Sequence, residues 1–361
     1  MSFAALPPSL ASLSPTFHQR FEVIEEVGVG GSGFCLKVRR RADGKEAVAK
    51  CIPRNRLASR GLVRTAHWGS VPEGYSAEAD GTLVVPVEAY VLRRVRHSSV
   101  VSFIDLFACP TFHYLIMAYH GSTWRIETHE QPSYLPSPPI TPPAHFATFP
   151  RTASDPEPES TDPAAPVARR AIAVPPAPLM RRSSSDLFDC VERFRHFSED
   201  IARHIFSQIV AAVYDLAKMG IAHADLKDEN IVIASDCRVK LVDFGSCVMF
   251  DPRGPAPIQH EARFYGTCTY AAPEVLAGHA YSLLLAEVYS LGVLLSVLLT
   301  GEHPFFSPAD AAAGKRLPLK VPVSDSARDL LDRCLTADLN ARISLFDLRR
   351  HPWVVGPSPR S

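Results

Sequence analysis

The sequence predicts an α+β fold in two parts: a β-rich N-terminal part with one main helix, and a larger, mostly helical C-terminal part. Three observations favour this fold. Residues 21–52 have the pattern of strands and turns, residues 198–220 carry apolar side chains at helical spacing, and a proline-rich stretch lies between the two parts. A chain of 361 residues is long enough for two packed lobes.

The N-terminal part is predicted to begin with three strands. Residues 21–52 alternate between apolar runs and turns, and the Asp-Gly pair at 43–44 is typical of a hairpin. The segment "PVEAYVLRRVRH" (86–97) follows as the main helix, because its apolar residues recur every three or four positions. Two more strands are predicted on either side of a turn at Cys109.

Residues 53–84 interrupt this regular pattern. They show no sustained hydrophobic periodicity, so we predict a loop insertion between the third strand and the main helix. Trp68 in this segment is either the anchor of the loop or a loosely packed aromatic residue, and the sequence leaves both alternatives open.

The C-terminal part is predicted to begin with a long amphipathic helix. It covers residues 198–220, with Ser198 as the N-cap and Gly220 at the end. A short strand pair and several helices follow. The most apolar run, Val288–Thr300, is shorter than the roughly 20 residues that span a bilayer, so we expect a buried helix there.

The segment between the two parts is predicted to be disordered. Of the 32 prolines, 14 lie between residues 132 and 178, among Ser, Thr, Asp and Glu. Such a composition buries too little apolar surface to offset the entropy of ordering. The predicted organisation is a disordered tail (1–20), the β-rich part (21–120), the insertion (121–183), the helical part (184–353) and a C-terminal tail (354–361).

The overall composition excludes several classes of partner. Lys+Arg and Asp+Glu are both 38, so no net charge favours nucleic acid or a membrane surface as a partner. The eight cysteines form no CxxC pair, which favours reduced thiols and a cytoplasmic or nuclear location over a disulfide framework or zinc site. The N-terminus lacks the basic region of a secretory signal.

A glycine-rich GxGxxG motif lies in the first predicted hairpin. Its members are Gly28, Val29, Gly30, Gly31, Ser32 and Gly33. The motif alone is a weak signal, because a plain hairpin turn and a dinucleotide site use the same spacing. A dinucleotide fingerprint opens a helix, whereas "FCLKVRR" continues as a strand here, so the context favours a hairpin that covers phosphates.

Lys50 ends the third predicted strand and is a candidate phosphate-binding lysine. A lysine at this position is also compatible with a solvated strand charge. A carboxylate on the following helix would hold Lys50 in place through an ion pair. Glu88 is the preferred candidate, and Glu78 is the alternative if the helix begins earlier.

The segment "GIAHADLKDENIVI" supplies a second set of chemical groups. Asp225 is suited to accept the proton of a hydroxyl, Lys227 to offset phosphate charge, and Asn230 to bind Mg²⁺ through oxygen. His223 is predicted to support the loop by packing. Asp243, in the Asp-Phe-Gly triplet that follows a strand, is a second Mg²⁺ ligand candidate.

In this order and at these separations, the motifs resemble those of the protein kinase family, over residues 21–120 and 186–353. "GTCTYAAPE" (266–274) is similar to the family's substrate-binding segment. The resemblance implies a bilobal protein kinase fold, ATP and Mg²⁺ as cofactors, and protein serine/threonine substrates. "DLFDCVERF", "DLKDENIVIASD" and "LVDFGSC" are most similar to PAS-domain-regulated kinases in the calmodulin-kinase-like group, with Pim kinases next, although no stretch has the pattern of a PAS domain.

The resemblance also implies roles for further residues. The ATP-binding set would be residues 28–33, Cys35, Val48, Lys50, the gatekeeper Met117, the hinge residues Ala118 and Tyr119, Asp186 at the ribose, and Val232. The substrate-binding set would be Thr267, Glu229 and Asp189, where acidic residues read upstream arginines or are simply solvated surface. The structural set would be His223, Phe244, Gly245, the ion pair of Glu274 with Arg342, and Glu287.

The sequence departs from the family pattern at several positions. Ala224 replaces the arginine that pairs with a phosphate on the activation loop, and residues 247–266 contain no serine or threonine. We therefore expect an activation loop that does not depend on phosphorylation. Cys35 and Val48 replace the usual valine and alanine above the adenine, which predicts weakened or altered ATP affinity. Glu287 replaces an aspartate that hydrogen-bonds the catalytic loop.

A different class of protein stays open as an alternative. A catalytically weak pseudokinase would act as a scaffold and bind partners through the proline-rich insertion. The retained Asp225, Asn230 and Asp243 argue against this alternative. The "RRSSS" segment (181–185) is either a phosphorylation site with upstream arginines or a flexible linker.

Overall fold

The computed structural model of this protein describes residues 13–30, 33–121, 186–254, 258–259 and 266–356. All of these residues belong to one structural unit. Gly31 and Ser32, the "RRSSS" segment and the predicted disordered insertion beyond residue 121 lie outside the described residues. The predictions about these segments therefore remain predictions.

A five-stranded antiparallel sheet forms the N-terminal lobe. Its strands are β1 (Phe21–Gly30), β2 (Gly33–Arg40), β3 (Glu46–Pro53), β6 (Phe103–Ala108) and β7 (Phe112–Ala118). The strand order is β1-β2-β3-β7-β6. The alternation of apolar and polar residues buries Leu36 and Val38 of β2 while neighbouring side chains face outward. The predicted strands are thus confirmed, together with the turn at Cys109.

A short helix packs against this sheet and corrects the prediction of a disordered tail for residues 13–20, while residues 1–12 lie outside the described residues. Helix α1 (Pro15–Arg20) has Ser14 as its N-cap, and Phe17 is fully buried. The ring of Phe17 lies 5.4 Å from that of Phe21 and 5.1 Å from that of Tyr114. A six-residue helix has no stability of its own, so tertiary packing creates this element and hydrophobic periodicity does not reveal it.

The insertion at 53–84 is more ordered than the predicted loop. Its strand β4 (Leu62–Thr65) pairs antiparallel with β5 (Leu83–Pro86), and β5 leads directly into helix α2 (Val87–Arg94). The two strands are separated by 17 residues, and such non-local pairing leaves little trace in the local pattern. Trp68 is 4% exposed, which decides in favour of an anchor.

Helices dominate the C-terminal lobe, as predicted. They are α3 (Leu187–Phe194), α4 (Glu199–Lys218), α5 (Pro273–Leu276), α6 (Leu283–Thr300), α7 (Pro308–Ala312), α8 (Asp325–Leu335), α9 (Leu345–Arg350) and α10 (Pro352–Val355). Ser198 stands at the N-cap of α4, but its side chain makes no capping hydrogen bond. The last helix extends two residues into the predicted C-terminal tail and buries Val354.

Helix α6 is the core helix of this lobe. It is five residues longer at its N-terminal end than the predicted run at Val288, and Ser282 caps it. By length and composition alone α6 is apolar enough to cross a membrane, and 72% of it is buried inside the fold. A helix that is apolar on all sides is typical of the centre of a large domain.

Short strand pairs frame the segments between these helices. They are β8 (Ile221–Ala222) with β11 (Val248–Met249), β9 (Ile231–Ile233) with β10 (Val239–Leu241), and β12 (Ile258–Gln259) with β13 (Tyr281–Ser282). Leu241 of β10 exchanges backbone hydrogen bonds with Ser99 and Val101 of the N-terminal lobe. This contact fixes the end of β10, and therefore Asp243, relative to the sheet.

Candidate active site

Lys50 lies at the centre of an ion-pair network that joins three elements. Its Nζ is 2.7 Å from Glu88 Oε2 on α2 and 2.7 Å from Asp243 Oδ1, two residues after β10. Lys50 and Glu88 are 4% and 2% exposed. Glu78, the alternative partner from the sequence, lies instead against Arg64 on the exposed hairpin. The structure thus brings the strand, helix and triplet residues together.

Lys50 stabilises the charges of both carboxylates, whereas burial and the charge of Asp243 raise the pKa of Glu88. Burial lowers the pKa of Lys50, but Glu88 and Asp243 more than offset it, and the net pKa lies above its ordinary value. Burial opposes the ionisation of Asp243, yet Lys50 and the Gly245 N–H hold its pKa below the ordinary range. The site therefore presents a lysine cation and an aspartate anion at neutral pH.

Asp225 is fixed by hydrogen bonds on both carboxylate oxygens. Oδ1 accepts from the backbone N–H and the hydroxyl of Thr267, each at 3.0 Å. Oδ2 accepts from Asn230 Nδ2 at 3.0 Å, and the same amide donates to the Asp225 carbonyl at 2.8 Å. The loop and the segment around Thr267 are thereby locked together.

Lys227 completes this arrangement. Its Nζ donates to Thr267 Oγ1 at 2.9 Å and lies 3.0 Å from Glu229 Oε2 and 3.7 Å from Asp225 Oδ2. Burial lowers the pKa of Lys227, but the hydrogen bond to Glu229 and the charge of Asp225 raise it above its usual value. A positive charge therefore stays beside the Asp225 carboxylate.

Glu287 binds the backbone of the loop that carries Asp225. Glu287 Oε1 accepts from the N–H groups of His223 and Ala224, at 2.5 and 3.0 Å. Burial lowers the pKa of His223, so the ring is neutral, and its Nε2 donates to the Val242 carbonyl at 3.0 Å. The His223 ring packs 4.7 Å from Phe244. These contacts position Asp225 without contacting it.

Two side-chain oxygens are suited to bind a divalent cation. The Asn230 amide nitrogen is used by Asp225, so its Oδ1 faces away from that bond, while Asp243 is ionised and uses Oδ1 for Lys50. No group of three or more His, Cys, Asp and Glu residues in the described ranges has a geometry suited to a metal. One carboxylate and one amide fit Mg²⁺, which binds few protein ligands and completes its shell with phosphate and water.

The described glycines of the glycine-rich motif lie at the end of β1 and the start of β2. Strand register pairs Gly28 with Cys35 and Val29 with Phe34. Gly33 has φ +149°, and a Cβ at this position would lie 2.1 Å from the Cys51 carbonyl oxygen, so only glycine fits. Burial raises the pKa of the Cys35 thiol to about 12.

The gatekeeper and hinge candidates lie at the end of β7 and directly after it. Val48 of β3 pairs with Met117, and Ala118 ends the strand. Tyr119 follows, with the Lys37 ammonium 4.2 Å from its ring centroid. The register therefore places Val48 and Met117 side by side on neighbouring strands.

Asp186 and Val232 pair with each other in the C-terminal lobe. They form an isolated antiparallel bridge, which brings the start of α3 to β9. Asp186 is buried, and its side chain accepts from the Asp189 N–H at 2.9 Å, so it caps α3. This capping role of Asp186 was not predicted from the sequence.

A buried pair anchors the segment behind Thr267. Arg342 donates to both oxygens of Glu274, at 2.5 and 3.0 Å, and also to the Leu285 carbonyl at 3.1 Å. Bidentate geometry makes this a strong ion pair. It ties α5 and the start of α6 to the segment before α9, as the sequence predicts.

Arg93 on α2 was not predicted as a functional residue, although it contacts the insertion. Its Nη2 donates to the Trp68 carbonyl at 2.7 Å. An isolated arginine on an exposed helix face gives no signal in the sequence. The only indication was Trp68, an aromatic residue in an otherwise irregular segment.

Part of this chain is similar to a known family of protein domains. The protein kinase domain family matches residues 179–354. This match covers the C-terminal lobe, and the five-stranded sheet with one main helix supplies the N-terminal lobe. Residues 179–354 are therefore similar to a protein kinase domain, and the bilobal kinase fold predicted from the sequence is confirmed.

Several serine/threonine kinases are similar to this chain. The PAS domain-containing serine/threonine-protein kinase of Mus musculus is 27% identical over 96% of the chain and 19% of the mouse protein. Serine/threonine-protein kinase PSK2 of Saccharomyces cerevisiae is 35% identical over 47% of the chain and 15% of that protein. Serine/threonine-protein kinase prk-2 of Caenorhabditis elegans is 38% identical over 47% of the chain and 38% of that protein. The chain thus spans less than two-fifths of each relative, and the predicted similarity to PAS-domain kinases is confirmed.

Proposed function

We propose that this chain is a protein kinase that transfers the γ-phosphate of ATP to serine and threonine hydroxyls of protein substrates. One observation carries the proposal. Lys50 contacts Glu88 and Asp243 at 2.7 Å, while Asp225, Lys227 and Thr267 form a single network in the facing lobe. These contacts support a role for Lys50 in phosphate binding and for Asp225 as the acceptor of a hydrogen bond from a substrate hydroxyl.

Each residue of this network has a role in the proposed reaction. Asp225 orients the substrate hydroxyl and accepts its proton, and its hydrogen bonds to Thr267 and Asn230 fix its direction. Lys227 and Lys50 offset negative charge on the phosphates. Asn230 and Asp243 would hold Mg²⁺, which neutralises phosphate charge when bound.

The proposed enzyme works without a phosphate on its activation loop. Residues 247–266 contain no serine or threonine, and Ala224 offers no guanidinium to receive a phosphate. Thr267 already bonds to Asp225 and Lys227 with neither feature present. Phosphatase treatment should therefore leave the turnover unchanged.

The proposed substrates carry arginines upstream of the phosphorylated residue. Asp186, Asp189 and Glu229 lie at the start of α3 and in the catalytic loop. Carboxylates in this region would pair with guanidinium groups of a bound peptide. Replacing the upstream arginines of the peptide by alanine should then raise the KM more than it lowers kcat.

Phosphotransfer to an arginine-bearing serine peptide tests the proposal. We expect turnover with Mg-ATP by the natural chain and a fall in kcat of about 10² to 10⁴ in Asp225→Asn, because a positioned base contributes a factor of this size. Asp236→Asn, in an exposed turn, is the control. Equal phosphate incorporation by the natural chain and Asp225→Asn would contradict the proposal.

The second candidate function is a scaffold that binds partners through the proline-rich insertion. Ala224, Cys35 and Val48 favour it, because each departs from the residue usual in the family that the motifs resemble. ATP binding without any turnover would support the scaffold. The retained Asp225, Asn230 and Asp243 favour the kinase.

A further inference from the structure

The insertion at 53–84, together with the end of β5, contacts helix α2 near both ends of the helix. At the N-terminal end, β5 runs into α2 without a linker, and Pro86 is both the last residue of β5 and the N-cap of α2. Pairing of Leu62 with Pro86 attaches this junction to β4. The position of the first turn of α2 is therefore set by the hairpin.

At the C-terminal end of α2, Arg93 contacts Trp68. The guanidinium donates a hydrogen bond to the Trp68 carbonyl at 2.7 Å. Arg93 Cζ lies 4.9 Å from the centroid of the indole ring. Trp68 in turn packs edge-on against Phe103 of β6, with the ring centroids 6.1 Å apart. The contact thus links α2 through the insertion to the sheet.

The backbone next to Trp68 is shaped for this contact. Gly69 has φ +88°, a conformation that favours glycine. A Cβ on Gly69 would lie 3.3 Å from Arg93 Nη2. The close approach lets the Trp68 carbonyl face the arginine.

Helix α2 needs such support to present Glu88. With eight residues it is too short to be stable alone, so packing must determine where it lies. Glu88 and Arg93 are five residues apart on this helix. A rotation or shift of α2 would break the 2.7 Å contact between Glu88 and Lys50.

We propose that the insertion is a built-in clamp on α2, and that Trp68 and Arg93 are positioning residues for the Lys50–Glu88 pair. This inference rests on the proposed kinase function for its effect on catalysis, but not for its effect on α2. The clamp holds α2 in the paired position within one chain. A partner protein is then not required to place Glu88.

Hydrogen exchange of the backbone amides of residues 91–95 tests the clamp independently of activity. In Arg93→Ala we expect exchange about tenfold faster than in the natural chain, because one charge-assisted hydrogen bond and the cation–π contacts with Trp68 and Phe103 are lost. Arg93→Lys keeps the cation and should restore part of the protection. Arg94→Ala is the matched control, since Arg94 contacts Tyr90 on the same helix.

Steady-state kinetics give the second measurement. Arg93→Ala should lower kcat about tenfold at saturating ATP and leave the KM for peptide unchanged, since Glu88 acts on Lys50 and not on the peptide site. Trp68→Phe should fall between the natural chain and Arg93→Ala in both measurements, because it keeps the carbonyl and an aromatic ring.

The two proposals fail in different ways. Unchanged exchange at 91–95 in both Arg93→Ala and Trp68→Phe would overturn the clamp, whatever the activity. Absence of turnover in the natural chain would overturn the kinase function, while exchange would still decide the clamp. Equal acceleration in Arg94→Ala and Arg93→Ala would also overturn the clamp, because it would show general fraying of α2.

Discussion

Glu287 has two carboxylate oxygens in unequal surroundings. Oε1 accepts two backbone N–H groups of the catalytic loop, whereas Oε2 is buried and has no hydrogen-bond partner among the described residues. Burial raises the pKa of Glu287 to about 7, and the two N–H groups only partly oppose this. One of them belongs to Ala224, whose φ of +62° costs a non-glycine residue roughly 1 kcal/mol.

Glu287→Gln should change how the stability of the protein depends on pH. The pKa of Glu287 is about 7 in the fold and 4.5 ordinarily, so the folded state binds more protons between these values. Its contribution to the free energy of unfolding is therefore full below pH 4.5 and is lost as pH rises through 7. At about 1.4 kcal/mol per pKa unit, the loss is roughly 3 kcal/mol. Urea unfolding measures this effect. Between about pH 4.5 and pH 8, the free energy of unfolding of Glu287→Gln should rise by this amount relative to that of the natural chain.

The control for this prediction is a glutamate that pairs at the surface. Glu302 contacts Lys320 and is 44% exposed, so Glu302→Gln should leave the pH profile almost parallel to that of the natural chain. His223 and Cys247 face Glu287, and burial holds the pKa of His223 low and that of the Cys247 thiol at about 12. If the free energy of unfolding of Glu287→Gln followed pH in parallel with that of the natural chain, the prediction would be wrong. Ionisation of Glu287 would then not destabilise the fold.

Single residues in the site were predictable to different degrees. Lys50, Asp225, Asn230 and Asp243 could be proposed from the sequence because each lies in a motif with fixed spacing. The hydrogen bonds of Glu287 to the loop could not be predicted. Glutamate is one methylene longer than the usual aspartate, and whether the longer side chain fits depends on where α6 lies. Arg93 gave no signal because its partner is a backbone carbonyl.

At the scale of elements, the sheet and the long helices could be predicted, whereas the short elements could not. Strands β1 to β3 carry a period-2 pattern, and α4 carries a helical one over 20 residues. Helix α1 and the β4–β5 hairpin are too short for any periodicity. Their stability comes from contacts with residues distant in sequence, such as Phe17 with Tyr114.

Phe17→Ala tests whether α1 belongs to the folded domain. Phe17 is fully buried against the sheet, and truncation of a buried phenylalanine costs about 3–5 kcal/mol. We expect the free energy of unfolding to fall by that amount in urea denaturation. Phe306→Ala is the matched control, since Phe306 is 81% exposed and its truncation should change stability by less than about 0.5 kcal/mol. Equal, small effects of the two substitutions would restore the prediction of an unstructured tail.

At the scale of the whole molecule, the site is shared between two lobes. Lys50 and Glu88 belong to the N-terminal lobe, whereas Asp243 belongs to the C-terminal lobe. Lys50 Nζ nevertheless lies 2.7 Å from a carboxylate oxygen of each of the two acidic residues. Backbone bonds of Leu241 with Ser99 and Val101 add a second connection. The order of the motifs along the chain predicted the two lobes, but only packing determines that their charges meet.

Because Lys50 and Asp243 lie on different lobes, a ligand that contacts both should stabilise the whole fold. We expect Mg-ATP to raise the free energy of unfolding by about 2.7 kcal/mol at a concentration 100 times its Kd, since it binds the folded state alone. Thermal unfolding with Mg-ATP, ATP alone and Mg²⁺ alone measures this. Asp243→Asn should remove the difference between Mg-ATP and ATP, while Asp236→Asn in its exposed turn should keep it. If Mg-ATP leaves the melting temperature unchanged, the cleft does not accept the nucleotide. Cys35 and Val48, which the family resemblance implies lie above the adenine, would then be the first residues to replace, with valine and alanine.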